Sequence, residues 1–130
     1  MDEKLRFTNL DPKDMDSCRV VLEVLDRVGD KWTVMVVGAL AAGPMRFNAV
    51  QRCIPGLSHR MLTLTLRGLE RDGLVERRAY PTSPPKVEYE LTHFGHSLIA
   101  PLSVLSDWAM GNKATILSAR NRFDAKADAV

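Results

Sequence analysis

Residues 58–73 read Ser58-His59-Arg60-Met61-Leu62-Thr63-Leu64-Thr65-Leu66-Arg67-Gly68-Leu69-Glu70-Arg71-Asp72-Gly73, and the reading of this stretch decides the fold. Ser58 follows Pro55-Gly56-Leu57 and offers a hydroxyl to the free N–H groups of a helix start, while Gly73 supplies a stop. Between those ends Leu62, Leu66 and Leu69 recur at helical spacing, which predicts one stripe turned to a core. His59, Arg60, Thr63, Leu64 and Arg67 fall away from that stripe. A short helix with an apolar back and a basic, hydroxyl-bearing front has the chemistry of a major-groove reader.

Upstream, residues 1–16 are polar and acidic with Pro12, and read as a flexible N-terminal arm. Residues 18–28 (CRVVLEVLDRV) predict a first helix whose Val21, Leu22, Leu25 and Val28 form an apolar face, widened by Val20 and Val24. Gly29 ends it, and Asp30 is placed to cap a second helix over 32–42. That second helix is apolar almost all round, the mark of an element central to a core. Residues 46–53 make a short third helix with Phe47 and Val50 inward, stopped by Pro55-Gly56.

Downstream, residues 74–79 and 86–91 read as two strands, the second (KVEYEL) alternating apolar and polar. The loop between them, Tyr80-Pro81-Thr82-Ser83-Pro84-Pro85, is stiffened by proline, so the pair forms a β-hairpin. Thr92 is placed to cap a long last helix over 93–110. Its Leu98, Ile99, Leu102, Leu105 and Trp108 spread too widely for one seam, which predicts a subunit contact beside a core contact. Residues 113–123 extend as another short helix, and the tail 124–130 reads as loose. The expected class is mainly α with a small β-hairpin, a winged helix-turn-helix. Residues 17–111 form the domain with its dimerisation helix, and 112–130 a partly helical C-terminal extension.

Composition narrows the function. The 130 residues are ordinary in apolar and charged content, contain no run long and apolar enough for a membrane span, and begin without the pattern of a signal peptide. Two cysteines, Cys18 and Cys53, are too few for a disulfide scaffold, so a cytoplasmic location is expected. The net charge of +2 conceals an asymmetry. Residues 46–86 hold eight Lys/Arg against three Asp/Glu, whereas residues 1–30 hold five against eight. Positive charge gathers around the proposed reading helix, where phosphate would lie.

With these elements in order, the chain resembles the HxlR-type (MarR-related) winged-helix transcriptional regulators over about residues 18–111. The resemblance is carried by Gly29-Asp30-Lys31-Trp32-Thr33, Gly43-Pro44-Met45-Arg46-Phe47-Asn48, Ile54-Pro55-Gly56-Leu57-Ser58 and Met61-Leu62-Thr63. It continues through Leu66-Arg67-Gly68-Leu69-Glu70-Arg71-Asp72-Gly73-Leu74-Val75, then Tyr80-Pro81 and Pro84-Pro85-Lys86-Val87-Glu88-Tyr89-Glu90-Leu91-Thr92. It implies a homodimer on double-stranded operator DNA, joined through the first and last helices. Three positions depart from the family pattern: Asp30 stands where glycine is usual, His93 where proline is usual, and Leu64 where a polar residue, often glutamine, is usual.

Arg60 and Arg67 lie seven residues apart, about two turns, so both project from one face. Either suits a bidentate contact to guanine, worth about 1–3 kcal/mol of discrimination; the plainer alternative is phosphate contact or a solvated charge. Thr63 lies between them, and Leu64 suits a thymine methyl. Ser58 and His59 open the helix, with His59 read as a phosphate or surface residue. Arg46 and Asn48 open the third helix, where phosphate is commonly held, ordinary capping being the alternative. Arg77, Arg78 and Lys86 are the wing candidates, and strand alternation sends Arg77 and Arg78 to opposite faces. Trp32 and Trp108 read as packing residues, and Glu88 and Glu90 as solvated.

Cys18, at the first helix start beside Arg19, is placed to favour a thiolate, against the pull of Asp16. The resemblance implies a sensor of oxidants or electrophiles at this position; an inert core thiol is the alternative. Cys53 lacks that match, and spacing leaves a Cys18–Cys53 disulfide open. His93 and His96 lie three apart on a helix without further metal-ligand spacing, so no metal and no cofactor are expected. No nucleophile with an orienting base can be assembled, which argues against an enzyme. The expected function is a dimeric, sequence-specific repressor that answers to a small-molecule or electrophile inducer and has no membrane partner. The alternative is a winged-helix protein-interaction module without DNA binding.

Overall fold

The computed structural model describes residues 15–128, with side-chain surroundings from residue 18 onward. The expected arm over 1–16 therefore lies, but for its last two residues, outside the described residues. The elements run α1 (Met15–Val28), α2 (Lys31–Leu40), β1 (Met45–Arg46), α3 (Phe47–Cys53), α4 (His59–Arg71), β2 (Val75–Tyr80), β3 (Lys86–Leu91), α5 (His93–His96), α6 (Ile99–Gly111) and α7 (Lys113–Asp128). They fall into two compact units, residues 1–96 and 97–130. The fold is a winged helix-turn-helix.

In the first unit α2 is the central helix. Its Thr33, Val36, Val37 and Leu40 are buried, and it packs on α4, whose Leu62, Leu66 and Leu69 are buried in turn. Val50 of α3, Ile54, Leu57, Leu74, Val75 and Leu91 complete the core. Each fully buried aliphatic side chain stabilises by about 1.5–3 kcal/mol, so the Leu62–Leu66–Leu69 stripe is what holds α4 in place. Asp30 stands at the N-cap of α2, but its side chain makes no capping hydrogen bond.

The hairpin expected from the sequence is the larger part of a three-stranded antiparallel sheet of order β1-β3-β2. Helix α2 ends at Leu40, two residues short of the expected 42, and after Gly43-Pro44 the chain is extended at Met45–Arg46, where Met45 pairs with Tyr89 and Arg46 with Glu88. Two residues cannot display an alternation, which is why this strand is invisible to periodicity. Between β2 and β3 the chain register is Val75↔Leu91 through Tyr80↔Lys86. The exposed loop that joins them carries a cis Ser83–Pro84 peptide and a Thr82 hydroxyl that donates to the Pro84 carbonyl at 2.7 Å.

The apolar face of the first helix is open along Val20, Val21, Leu22, Val24 and Leu25, with Val20 60% exposed. The single helix expected over 93–110 is broken into α5 and α6. Pro101 accounts for the break, because its ring clashes with the carbonyl four residues back and is tolerated only in a first turn, where α6 places it. Thr92 does cap α5, accepting from Gly95 N at 2.9 Å while donating to Gly73 O at 2.7 Å. In the second unit Trp108 is 61% exposed, with Val104, Leu105 and Met110 exposed beside it, so it is not the core residue expected. Asn112 joins α6 to α7, donating to Trp108 O at 2.8 Å. Helix α7 runs to Asp128, so residues 124–128 are helical and not loose.

Candidate nucleic-acid interface

The turn between α3 and α4 sets the geometry. Ile54 N donates to Gln51 O and Leu57 N to Ile54 O, both at 3.3 Å, and Gln51 Nε2 donates to Leu57 O at 3.2 Å. Gly56 adopts φ +81, and the Trp32 ring lies close enough to contact any side chain placed there. Trp32 is thus a half-buried packing residue, with the Lys31 ammonium 4.5 Å from its ring centroid. Leu57 is buried, Ser58 is the N-cap of α4, and its Oγ accepts from Met61 N at 3.1 Å.

From that start α4 buries Leu62, Thr65, Leu66, Gly68 and Leu69. Its opposite face carries Arg60, Leu64, Arg67 and Arg71, all exposed and spaced i, i+4, i+7 and i+11. From Arg60 to Arg71 the face runs roughly 16 Å along the helix. Arg71 extends the row and escaped the sequence reading, although its four-residue spacing from Arg67 was the available signal. Among the described residues the ion pairs engage Arg27, Arg78 and Lys86 and leave Arg60, Arg67, Arg71 and Arg77 unpaired.

The two flanks of this row differ. On the sheet side Thr63 donates back to His59 O at 2.9 Å, so its hydroxyl hydrogen is committed within the helix. The His59 ring lies 4.6 Å from the Phe47 ring, and Phe47 lies 6.5 Å from Tyr89. These three rings tie the start of α4 to the start of α3 and to β3. Beside them Phe47, Thr63, Leu66, Arg67, Glu70, Arg77 and Tyr89 line a cleft of about 360 Å³. On the other flank Leu64, 50% exposed, joins Met61 and Leu25 in an open cleft of about 610 Å³ that reaches Asp26, Asp30 and Thr33.

Strand register sorts the wing. Arg77 sits opposite Tyr89 and lines the same cleft as Arg67, on the side of α4. Arg78 sits opposite Glu88 on the other face, and so does Arg46 on the far side of the same glutamate. Arg78 pairs with Glu76 at 3.2 Å and Glu90 at 3.5 Å. Glu76 first, then Tyr80 and Glu90, raise its pKa above the ordinary guanidinium value. Lys86 pairs with Glu88 at 2.9 Å and stands over the Tyr80 ring at 5.2 Å. Glu88 and Glu90 are therefore ion-pair partners and not merely solvated. Asn48 is exposed on α3, and Arg46 is an N-cap residue in extended conformation without a capping hydrogen bond. The structure thus gathers Arg60, Thr63, Arg67 and Arg77 on one side and separates Arg46, Arg78 and Lys86 from them.

Cys18 and Cys53 are both free, the first half-buried and the second exposed, so the disulfide left open by spacing is not formed. No described helix is long and apolar enough to cross a membrane.

Comparison with known proteins bears on the family and the fold. The family model described as HxlR-like helix-turn-helix matches residues 27–116. The HTH-type transcriptional regulator YtfH of Escherichia coli (strain K12) is 40% identical over 99 residues, covering 76% of this chain and 79% of that one. The reduced form of the redox regulator HypR is 41% identical, with a TM-score of 0.69 and coverage of 75% of this chain and 97% of that one. The reduced form of the transcriptional regulator YodB from Bacillus subtilis is 34% identical, with a TM-score of 0.62 and coverage of 77% and 91%.

Proposed function

Because the chain belongs to the HxlR-like helix-turn-helix family of transcriptional regulators, which are not enzymes, we propose that it is a dimeric, sequence-specific DNA-binding repressor. The observation that carries this reading is the row of Arg60, Arg67 and Arg71 on the outer face of α4, unpaired among the described residues. Arg67 is the foremost base reader, with Arg60 and Arg71 at either end. Ser58, His59, Thr63 and Leu64 border the row, and Arg77 adds a cation from the wing on the same side. Arg46, Asn48, Arg78 and Lys86 are peripheral phosphate contacts. The exposed apolar residues Val20, Val21 and Val24 on α1, and Val104, Leu105 and Trp108 on α6, supply surface for a second copy. Two reading helices related by a dyad would enter successive major grooves.

Selection from a random duplex library tests the reading. The enriched site should be a pseudo-palindrome with half-site centres about 10 base pairs apart, and its affinity should fall steeply with salt. Failure to enrich any duplex, with salt-insensitive residual binding, would instead favour a protein-interaction module.

Cys18 is the proposed sensor, and the likeness to a solved redox regulator supports it. Diamide takes two electrons and two protons from a pair of thiols, here Cys18 and either a small thiol or a thiol of the second copy, and leaves a disulfide. Diamide should lower the affinity of the native protein for the selected duplex and leave Cys18→Ser unaffected. Equal affinity of the native protein before and after treatment would remove the sensor role.

A further inference from the structure

Gly68 is an anomaly in the reading helix. A glycine inside a helix costs about 0.5–1 kcal/mol relative to alanine, and no positive φ requires one here. The space of its missing side chain is occupied by Arg27, from the last turn of α1. A Cβ on Gly68 would lie 1.8 Å from Arg27 Nη1 and 2.7 Å from its Cζ. The same guanidinium donates from Nε to Asp72 Oδ2, and Asp72 is the C-cap of α4. The pair is largely shielded, with side-chain exposures of 25% and 22%. Helix α1 is therefore fastened to the final turns of α4 twice, by close packing on Gly68 and by a charged hydrogen bond to Asp72.

We propose that Arg27 is a positioning residue for the reader. It touches no base, and it sets the depth and tilt at which Arg67 and Arg71 are presented. These two arginines bracket Gly68 within one turn of helix. Because α1 also bears the exposed Val20, Val21 and Val24, anything that moves α1 moves the basic end of α4 with it. The middle of α4 is held by apolar packing, which resists separation but is not directional, and its start by the α3–α4 turn and the Ser58 cap. The Arg27 fastening is the directional contact at its C-terminal turns, so it orients that end. This inference rests on the reading of α4 as a DNA reader.

Three variants of the full chain test it. Arg27→Met keeps the apolar stem and removes the guanidinium, Gly68→Ala evicts the guanidinium while raising helix propensity, and Arg27→Lys keeps the charge. Each is measured on the duplex enriched by the native protein and on a scrambled duplex of equal length. Arg27→Met and Gly68→Ala should lose about tenfold in affinity for the enriched duplex, the scale of a charged hydrogen bond. Binding to the scrambled duplex should stay within about twofold, because phosphate attraction does not need one fixed pose. Arg27→Lys should recover part of the loss. In the free protein, amide hydrogen exchange over residues 69–72 should quicken in Arg27→Met. Equal losses on both duplexes, or unchanged exchange, would overturn the proposal. If the native protein enriches no duplex, the DNA reading fails, and the exchange measurement alone still decides whether Arg27 holds the helix.

Discussion

Arg67 and Arg78 are both exposed arginines near the wing, yet their surroundings predict opposite results. Arg67 is unpaired among the described residues and central to the outer face of α4, whereas Arg78 is held by Glu76 and Glu90. Arg67→Ala should cost about 1–3 kcal/mol of specific affinity and relax the preference at one base pair, as read by repeating the library selection. Arg78→Ala should change specific affinity by less than about threefold, since its charge is already balanced by two carboxylates and exposed pairs are weak. A uniform loss for Arg67→Ala across all sequences would make it a phosphate contact. Ser58 acts on a different quantity. Its Oγ accepts from Met61 N, so Ser58→Ala should lower stability by about 1 kcal/mol in urea unfolding.

At the scale of the element, a helix's amphipathic pattern announces that a face will be covered without saying by what. In α4 the Leu62–Leu66–Leu69 stripe is buried, as the spacing predicts, and what covers it is this chain's own α2. In α1 an equally regular stripe is left open. The two are indistinguishable in the sequence, because spacing reports the face and not its neighbour. They separate under mutation. Leu66→Ala, at a site 1% exposed, should destabilise the fold by about 2–5 kcal/mol. Val21→Asp, on the exposed stripe, should convert the dimer to monomer in light scattering while the far-ultraviolet circular dichroism stays native-like, and its unfolding should lose any dependence on protein concentration. A Val21→Asp protein that remained dimeric would place the interface elsewhere. The broken last helix belongs to the same scale: its apolar periodicity runs through residue 97, and Pro101 stops it for a reason that periodicity does not register.

For the whole molecule, net charge is a poor guide and its distribution a good one. The chain is only +2, but the basic excess lies in the segment that forms α3, α4 and the wing. Specific binding should therefore show a steep linear fall of log affinity with log salt, reporting several neutralised phosphates. A flat dependence would leave the basic face without its proposed partner. Local spacing was enough for the succession of α1 to α4 and the hairpin, the buried stripe of α4, the Ser58 cap and the basic front, because these follow from patterns within a few residues. Only the tertiary structure decided that Arg77 joins Arg67 while Arg78 turns away. It alone made Met45–Arg46 a strand and laid Arg27 against Gly68 and Asp72. Those outcomes depend on groups as many as 45 residues apart in sequence, and the register and packing that join them leave no local pattern. The Ser58–Gly73 stretch was legible as a reading helix; what holds it at its angle was not.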